Sequence, residues 1–146
     1  MAFVTACQIL AKRYLPLSGA LGCKGNMAVG FELVNISKNE TIGFLHLPVI
    51  TKMEIVRNPV SSLLVTYYLS ENQGDLIQFV SDTYDDWPFS FGKKSDMNNF
   101  EDVTDIYIDK LIRSNLIIDC GFEYQDEDEP DNVYIRSLKC CSETTT

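Results

Sequence analysis

The stretch Asn98–Asn115, NNFEDVTDIYIDKLIRSN, constrains the fold most, because its apolar residues keep a helical period. Phe100, Val103, Ile106, Tyr107 and Leu111 recur at three- and four-residue spacing, which puts them on one side of a helix that needs a core to cover it. Asn98 is placed to cap the N-terminus with Glu101 reaching back, and Lys110 and Arg113 fall in the last turn, where cations suit the dipole. The outer face carries Glu101, Asp105 and Asp109 in a column, and like charges at that spacing repel by roughly 0.2–0.5 kcal/mol per pair. Arg113, one turn beyond Asp109, is the residue positioned to offset this. Such a column is either a plain solvated face or a surface for a basic partner.

Charge is segregated along the chain. Of the 21 acids, fifteen lie between Asp82 and Asp131 against the four bases Lys93, Lys94, Lys110 and Arg113, so that segment carries −11 of a net −9. The remainder, six acids and eight bases, is +2. A polyanion such as nucleic acid is repelled by this segment, whereas a basic protein is steered toward it. A chain of 146 residues with 45% apolar residues is long enough to bury a core as one domain. It contains no apolar run long enough to span a membrane and no basic, then apolar, N-terminal leader, so the expectation is a soluble cytoplasmic protein.

Reading in order, Phe3–Tyr14 has helical spacing with Pro16 as a stop, and Leu17–Met27 is a glycine-bearing loop that lacks the Walker spacing. Val29–Ile36 and Thr41–Leu47 read as a hairpin, Lys52–Val56 as a further strand bracketed by Pro48 and Pro59, and Ser62–Ser70 with Asp75–Ser81 as a second hairpin. Thr83–Ser95 is a loop, and Leu116–Tyr124 with Asn132–Leu138 is a third hairpin around the acidic turn QDEDEPD. This order predicts an α+β fold: a single domain over residues 1–139, a mostly antiparallel β-sheet with one or two helices packed on a face, and a disordered tail over 140–146.

The five cysteines form no C-x-x-C pair, and adjacent Cys140 and Cys141 in a polar tail suit neither a disulfide nor two tetrahedral ligands, so no metal site and no cofactor is expected. Two N-x-[ST] matches, at Asn35 and Asn39, are most simply chance without an export signal. His46 is the sole histidine and would have to serve as base for any serine or cysteine nucleophile, but its apolar flanks suit a structural, hydrogen-bonded ring better. Asp82, Asp85, Asp86 and Glu101 could be gathered for metal-assisted hydrolysis, yet acids this dense are expected in any −11 segment and no basic groove accompanies them. No catalytic residue is therefore assigned.

The expected function is an acidic, protein-binding inhibitor of the immunity or antagonist type, covering a basic partner such as a nuclease or toxin. The candidate binding residues are Asp85, Asp86 and Trp87 of an aromatic loop, Glu101, Asp105 and Asp109 of the helix column, and Asp126, Glu127 and Asp128 of the acidic turn. Trp87, Phe89 and Phe91 could instead fold inward as a small satellite core. A small hydrolytic enzyme using His46 or clustered carboxylates is the alternative, and a structural or assembly component is a third class.

Overall fold

The computed structural model describes residues 30–141. Strands β1 (Phe31–Asn35) and β2 (Glu40–Ile42) form the first expected hairpin, turning through Asn39 at φ 55°. Two helices follow, α1 (Lys52–Arg57) and α2 (Pro59–Glu71), then β3 (Ile77–Ser81), a 3₁₀ turn (Lys94–Asn99) and the short β4 (Glu101–Asp102). Helix α3 (Thr104–Arg113) leads into the ribbon β5 (Ile117–Gln125) and β6 (Tyr134–Cys140). The class is α+β: a four-stranded sheet ordered β3-β1-β2-β4, antiparallel except for β2 with β4, and a separate two-stranded sheet.

Two segments expected as strands are helices. Thr51 caps α1 through a capping box, its hydroxyl accepting from the Glu54 N–H while the Glu54 carboxylate accepts from the Thr51 N–H. Asn58 accepts from the Ser61 N–H, and Pro59 at the first helical position needs no partner for the N–H it lacks. Val60, Leu64 and Tyr68, at helical spacing, point into the core, so the run SLLVTYYLS buries one face of α2 instead of pairing with β3. β3 pairs with β1 instead, placing Phe79 opposite Leu33 and Ile77 opposite Asn35.

The organising helix is shorter than its sequence period. Residues 98–102 form the end of the 3₁₀ turn and β4, and the helix begins at Thr104, so the proposed Asn98 and Glu101 cap does not form. Asp102 takes over that role: its carboxylate accepts from the Thr104 N–H and hydroxyl. Sheet pairing wins here, because the Glu101 and Val103 N–H groups bond to the Asn39 and Thr41 carbonyls of the hairpin.

Leu33 and Ile42 on the sheet, Ile55, Leu64 and Tyr68 on α1 and α2, and Val103, Tyr107, Ile108 and Leu111 around α3 form one buried core. Ile117 and Cys140 close it at the root of the ribbon. Cys140 therefore belongs to β6 and not to a polar tail, and the ordered chain runs past the expected boundary at residue 139. On the opposite sheet face Val34 and Val80 are also buried. The expected Phe3–Tyr14 helix, the Leu17–Met27 loop and the end of the expected tail lie outside the described residues. Among the described residues no helix is long and apolar enough to cross a membrane.

Candidate partner-binding surface

Of the expected column only Asp105 and Asp109 stand on α3, with Glu101 preceding it on β4; all three are exposed while Tyr107, Ile108 and Leu111 face inward. Ile106, expected on the buried side, is 49% exposed instead, and Ile108 is buried beside Tyr107 and Leu111. Asp109 and Arg113 form no ion pair; the cation that meets the column comes from β6. Arg136, with a side chain only 15% exposed, places Nη1 3.4 Å from Asp105 and Nη2 3.1 Å from Asp119 on β5. The Asp119 carboxyl is held below its ordinary range first by the Gly121 N–H, from which it accepts, and further by the hydrogen bond and charge of Arg136, against the opposing effect of desolvation.

Beside this clamp stands an aromatic stack. The His46 and Tyr134 rings lie 3.8 Å apart and 6° from parallel, and Phe122 meets the Tyr134 ring edge-on at 5.4 Å. His46 Nδ1 is 3.0 Å from the Tyr134 carbonyl, and the Arg136 N–H donates to the His46 carbonyl at 2.8 Å, so the histidine is fixed against β6 from both its ring and its backbone. Phe122 is 55% exposed. Withdrawal from water raises the Tyr134 phenol above its ordinary value, and the charge of Asp105 adds to that, as do Asp102 and Asp131, against the opposing Arg136. Charges on α3, β4 and the hairpin turn thus all act in the same direction on one phenol.

The acidic turn is locally ordered. Asp126 accepts from the Asp128 and Glu129 N–H groups and from the Tyr124 hydroxyl, an Asx turn that leaves Glu127 and Asp128 outward and exposed.

The Trp87 loop is built differently from the rest. The indole N–H donates to the Phe91 carbonyl at 2.9 Å, the ring packs edge-on against Phe89 at 5.0 Å, and the residue is half-buried. Gly92, at φ 72°, tucks beneath it: a Cβ there would lie 3.6 Å from the indole and 3.5 Å from Ile36. Ile36 follows β1 on the face away from the helices, so Trp87 and Phe89 gather over that face as a satellite cluster, while Phe91 stays exposed. Asp86 accepts from the Ser81 N–H and pairs with Lys94, and Lys94 also donates to the Tyr84 carbonyl. Desolvation works to raise the Asp86 carboxyl, but the Ser81 bonds and the Lys94 charge outweigh it and hold the group below its ordinary range. Asp85 remains exposed. The structure therefore brings the helix column together with the ribbon and sets the Trp87 loop on another face.

Phe122, Tyr134, Arg136 and Asp119 had no part in the sequence-based site. Their available signal was the period-two alternation of a hairpin, which does not say which face stays open. Among the described residues no group of three or more His, Cys, Asp or Glu side chains is arranged to hold a metal ion. No protein-family model, curated protein or solved structure matches the chain.

Proposed function

We propose that this protein is an acidic binding protein of the inhibitor, immunity or antagonist kind, which covers a basic protein partner such as a nuclease or toxin in a cytosol-like compartment. The observation that carries the reading is that Arg136 ties the exposed acid Asp105 of α3 to the ribbon whose exposed Phe122 rests on Tyr134. Acids at the rim steer a basic surface into contact, and a rigid, half-exposed aromatic gives the contact its grip. The acidic column and the Glu127–Asp128 turn extend the same character to either side, and the segment's −11 charge supplies the long-range field.

The test uses the tagged full chain and a Phe122→Ala, Asp109→Asn variant as parallel baits against a lysate of the source cells, with retention followed across a salt gradient. The expected result is a basic protein held at low salt by the wild type, released as salt rises, and not held by the variant. Identical retention profiles for the two baits would overturn the proposal. The variant must first show wild-type circular dichroism, which is expected because both residues are exposed.

A further inference from the structure

The four-stranded sheet ends differently at its two edges. β4 closes one of them with only Glu101 and Asp102, a short, doubly acidic stretch of the kind that discourages a further strand. β3 closes the other with Ile77–Ser81, IQFVS, which carries no charge and no proline and pairs with β1 without a bulge. The Asp82 N–H donates to the Gly30 carbonyl and the Ile36 N–H to the Leu76 carbonyl, so the even-numbered residues of this segment bond to β1. The backbone groups of Ile77, Phe79 and Ser81 therefore point outward. The Ser81 N–H is taken by the Asp86 carboxylate at 3.1 Å, whereas among the described residues the outward groups of Ile77 and Phe79 meet no hydrogen-bond partner. Their side chains pack against the core yet stay half-buried, and Leu76 beside them is 52% exposed. An uncharged, regular edge of this kind templates pairing with another strand.

Charge and register decide which strand fits. The acids that flank β3 are engaged within their own subunit: Asp75 accepts from the Asn35 amide and pairs with Lys38 at 3.6 Å, and Asp82 accepts from the Gly30 N–H and the Thr83 hydroxyl. The strand thus sets no charge against an identical strand and selects no cationic one. With Ser81 capped by Asp86, Ile77 and Phe79 are the outward residues left, and a twofold axis through Gln78 sets each against the other: Ile77 of one protomer meets its partner's Phe79, and the reverse, as two pairs that each exchange both backbone hydrogen bonds. In that register the half-buried apolar side chains cover one another, and the exposed Gln78 amides face each other across the axis with Cβ atoms about 4.5–5.5 Å apart. We propose that the outer edge of β3 pairs antiparallel with β3 of a second copy of this chain about a twofold axis at Gln78, joining two four-stranded sheets into one. This goes beyond the partner-binding reading, which uses α3 and the ribbon. A contact of one short strand lies at the small, transient end of protein interfaces, so the pair forms and parts with concentration.

The test follows the full chain by sedimentation and amide hydrogen exchange from micromolar to millimolar concentration, under reducing conditions that exclude dimers linked through the exposed Cys120. It is run beside Gln78→Lys, Gln78→Glu and an equimolar mixture of the two. Gln78 is exposed, so both variants keep the wild-type fold. The expected result is a reversible dimer of the wild type, with exchange of the Ile77 and Phe79 amides slowing as concentration rises. Either variant alone should associate about threefold or more weakly, the scale of one like-charged cross-strand pair, and the mixture should recover, because only pairing about this axis sets residue 78 against itself. A wild-type chain that stays monomeric throughout would overturn the proposal and leave the edge to a strand of another protein. A dimer that neither variant weakens, or that mixing does not restore, would place the contact elsewhere and overturn it equally.

Discussion

Arg136 of β6 and Asp105 of α3 meet across the seam between ribbon and helix, with Nη1 3.4 Å from Oδ1. The guanidinium continues to Asp119 on the neighbouring strand, so one cation joins three elements that the chain forms separately. This changes what the acidic column means energetically. Asp105 loses repulsion from its helical neighbours when neutralised, but it also loses Arg136, so Asp105→Asn should shift stability by less than about half a kcal/mol in either direction. Asp109, with no cation paired to it among the described residues, is the position where relief shows: Asp109→Asn should raise the urea midpoint slightly. A lowered midpoint in that variant would mean the column is held by contacts other than those described.

Arg136→Ala should cost more than either aspartate, on the order of 1–3 kcal/mol, because the side chain is mostly buried and both its packing and its two partners are lost. Its pH dependence follows from Asp119. A carboxyl held below its ordinary value of 3.8 contributes stability that is fully present above that value and is lost as pH falls through the lower folded value. Without Arg136 the Gly121 N–H still holds part of the shift, so the acid limb of a stability profile should move to slightly higher pH and not vanish. An unchanged acid limb would assign the shift to the backbone alone.

Leu111→Ala should destabilise by about 2–5 kcal/mol in urea unfolding, since the residue is fully buried against the core. A loss below about half a kcal/mol would contradict the packing of α3 itself. Thr51→Ala should cost about 0.5–2 kcal/mol through loss of the α1 capping box.

What the sequence disclosed depended on how sharply each segment was patterned. The buried side of α3 was legible because Val103, Tyr107 and Leu111 alternate with acids, and the ribbon was legible because an acidic turn separates two apolar runs. α2 was not, because SLLVTYYLS is apolar on nearly every side and rich in β-branched and aromatic residues, so composition argued for a strand. Its helical signal lay at its start, Asn58 before Pro59, and α1 carried its own in Thr51 with Glu54 three residues on, the signature of a capped N-terminus. The start of α3 was misplaced for a different reason. Asn98 and Glu101 have the right types for a cap, but β4 takes Glu101 and Asp102 into a pairing with β2 that no local pattern reveals. The site was legible in its charge and not in its aromatics, since whether Trp87 or Phe122 faces outward is decided by Ile36, Gly92 and the bulge at Gly121, all tertiary facts.

Cys140 illustrates the same point at the end of the chain. Read as part of a polar tail, Cys140→Ser should be silent; placed in β6 and 6% exposed within the core, it puts a hydroxyl into an apolar setting. A cost of about 1–3 kcal/mol is expected for the serine, with a smaller one for alanine, which carries no polar group. Guanidinium unfolding of the two variants distinguishes these, and a serine variant as stable as wild type would show that the site is open to water.

The last expectation separates the two aromatic candidates by what each perturbs. Trp87 is tied to Phe91, Phe89 and Gly92, so Trp87→Ala should lower stability by about 1–3 kcal/mol and leave partner dissociation within about twofold of wild type. Phe122 is more than half exposed and rests on Tyr134, so Phe122→Ala should cost little stability while raising the dissociation rate of a basic partner by at least about thirtyfold, the scale of a 2 kcal/mol hot spot. Neutralising Glu127 and Asp128 at the ribbon tip should act on the association rate and flatten its salt dependence, because exposed rim charges steer encounter more than they hold the complex. Stability is measured beside binding for each variant. A folded Trp87→Ala protein that releases its partner rapidly, together with a Phe122→Ala protein that does not, would move the binding surface to the opposite face of the sheet.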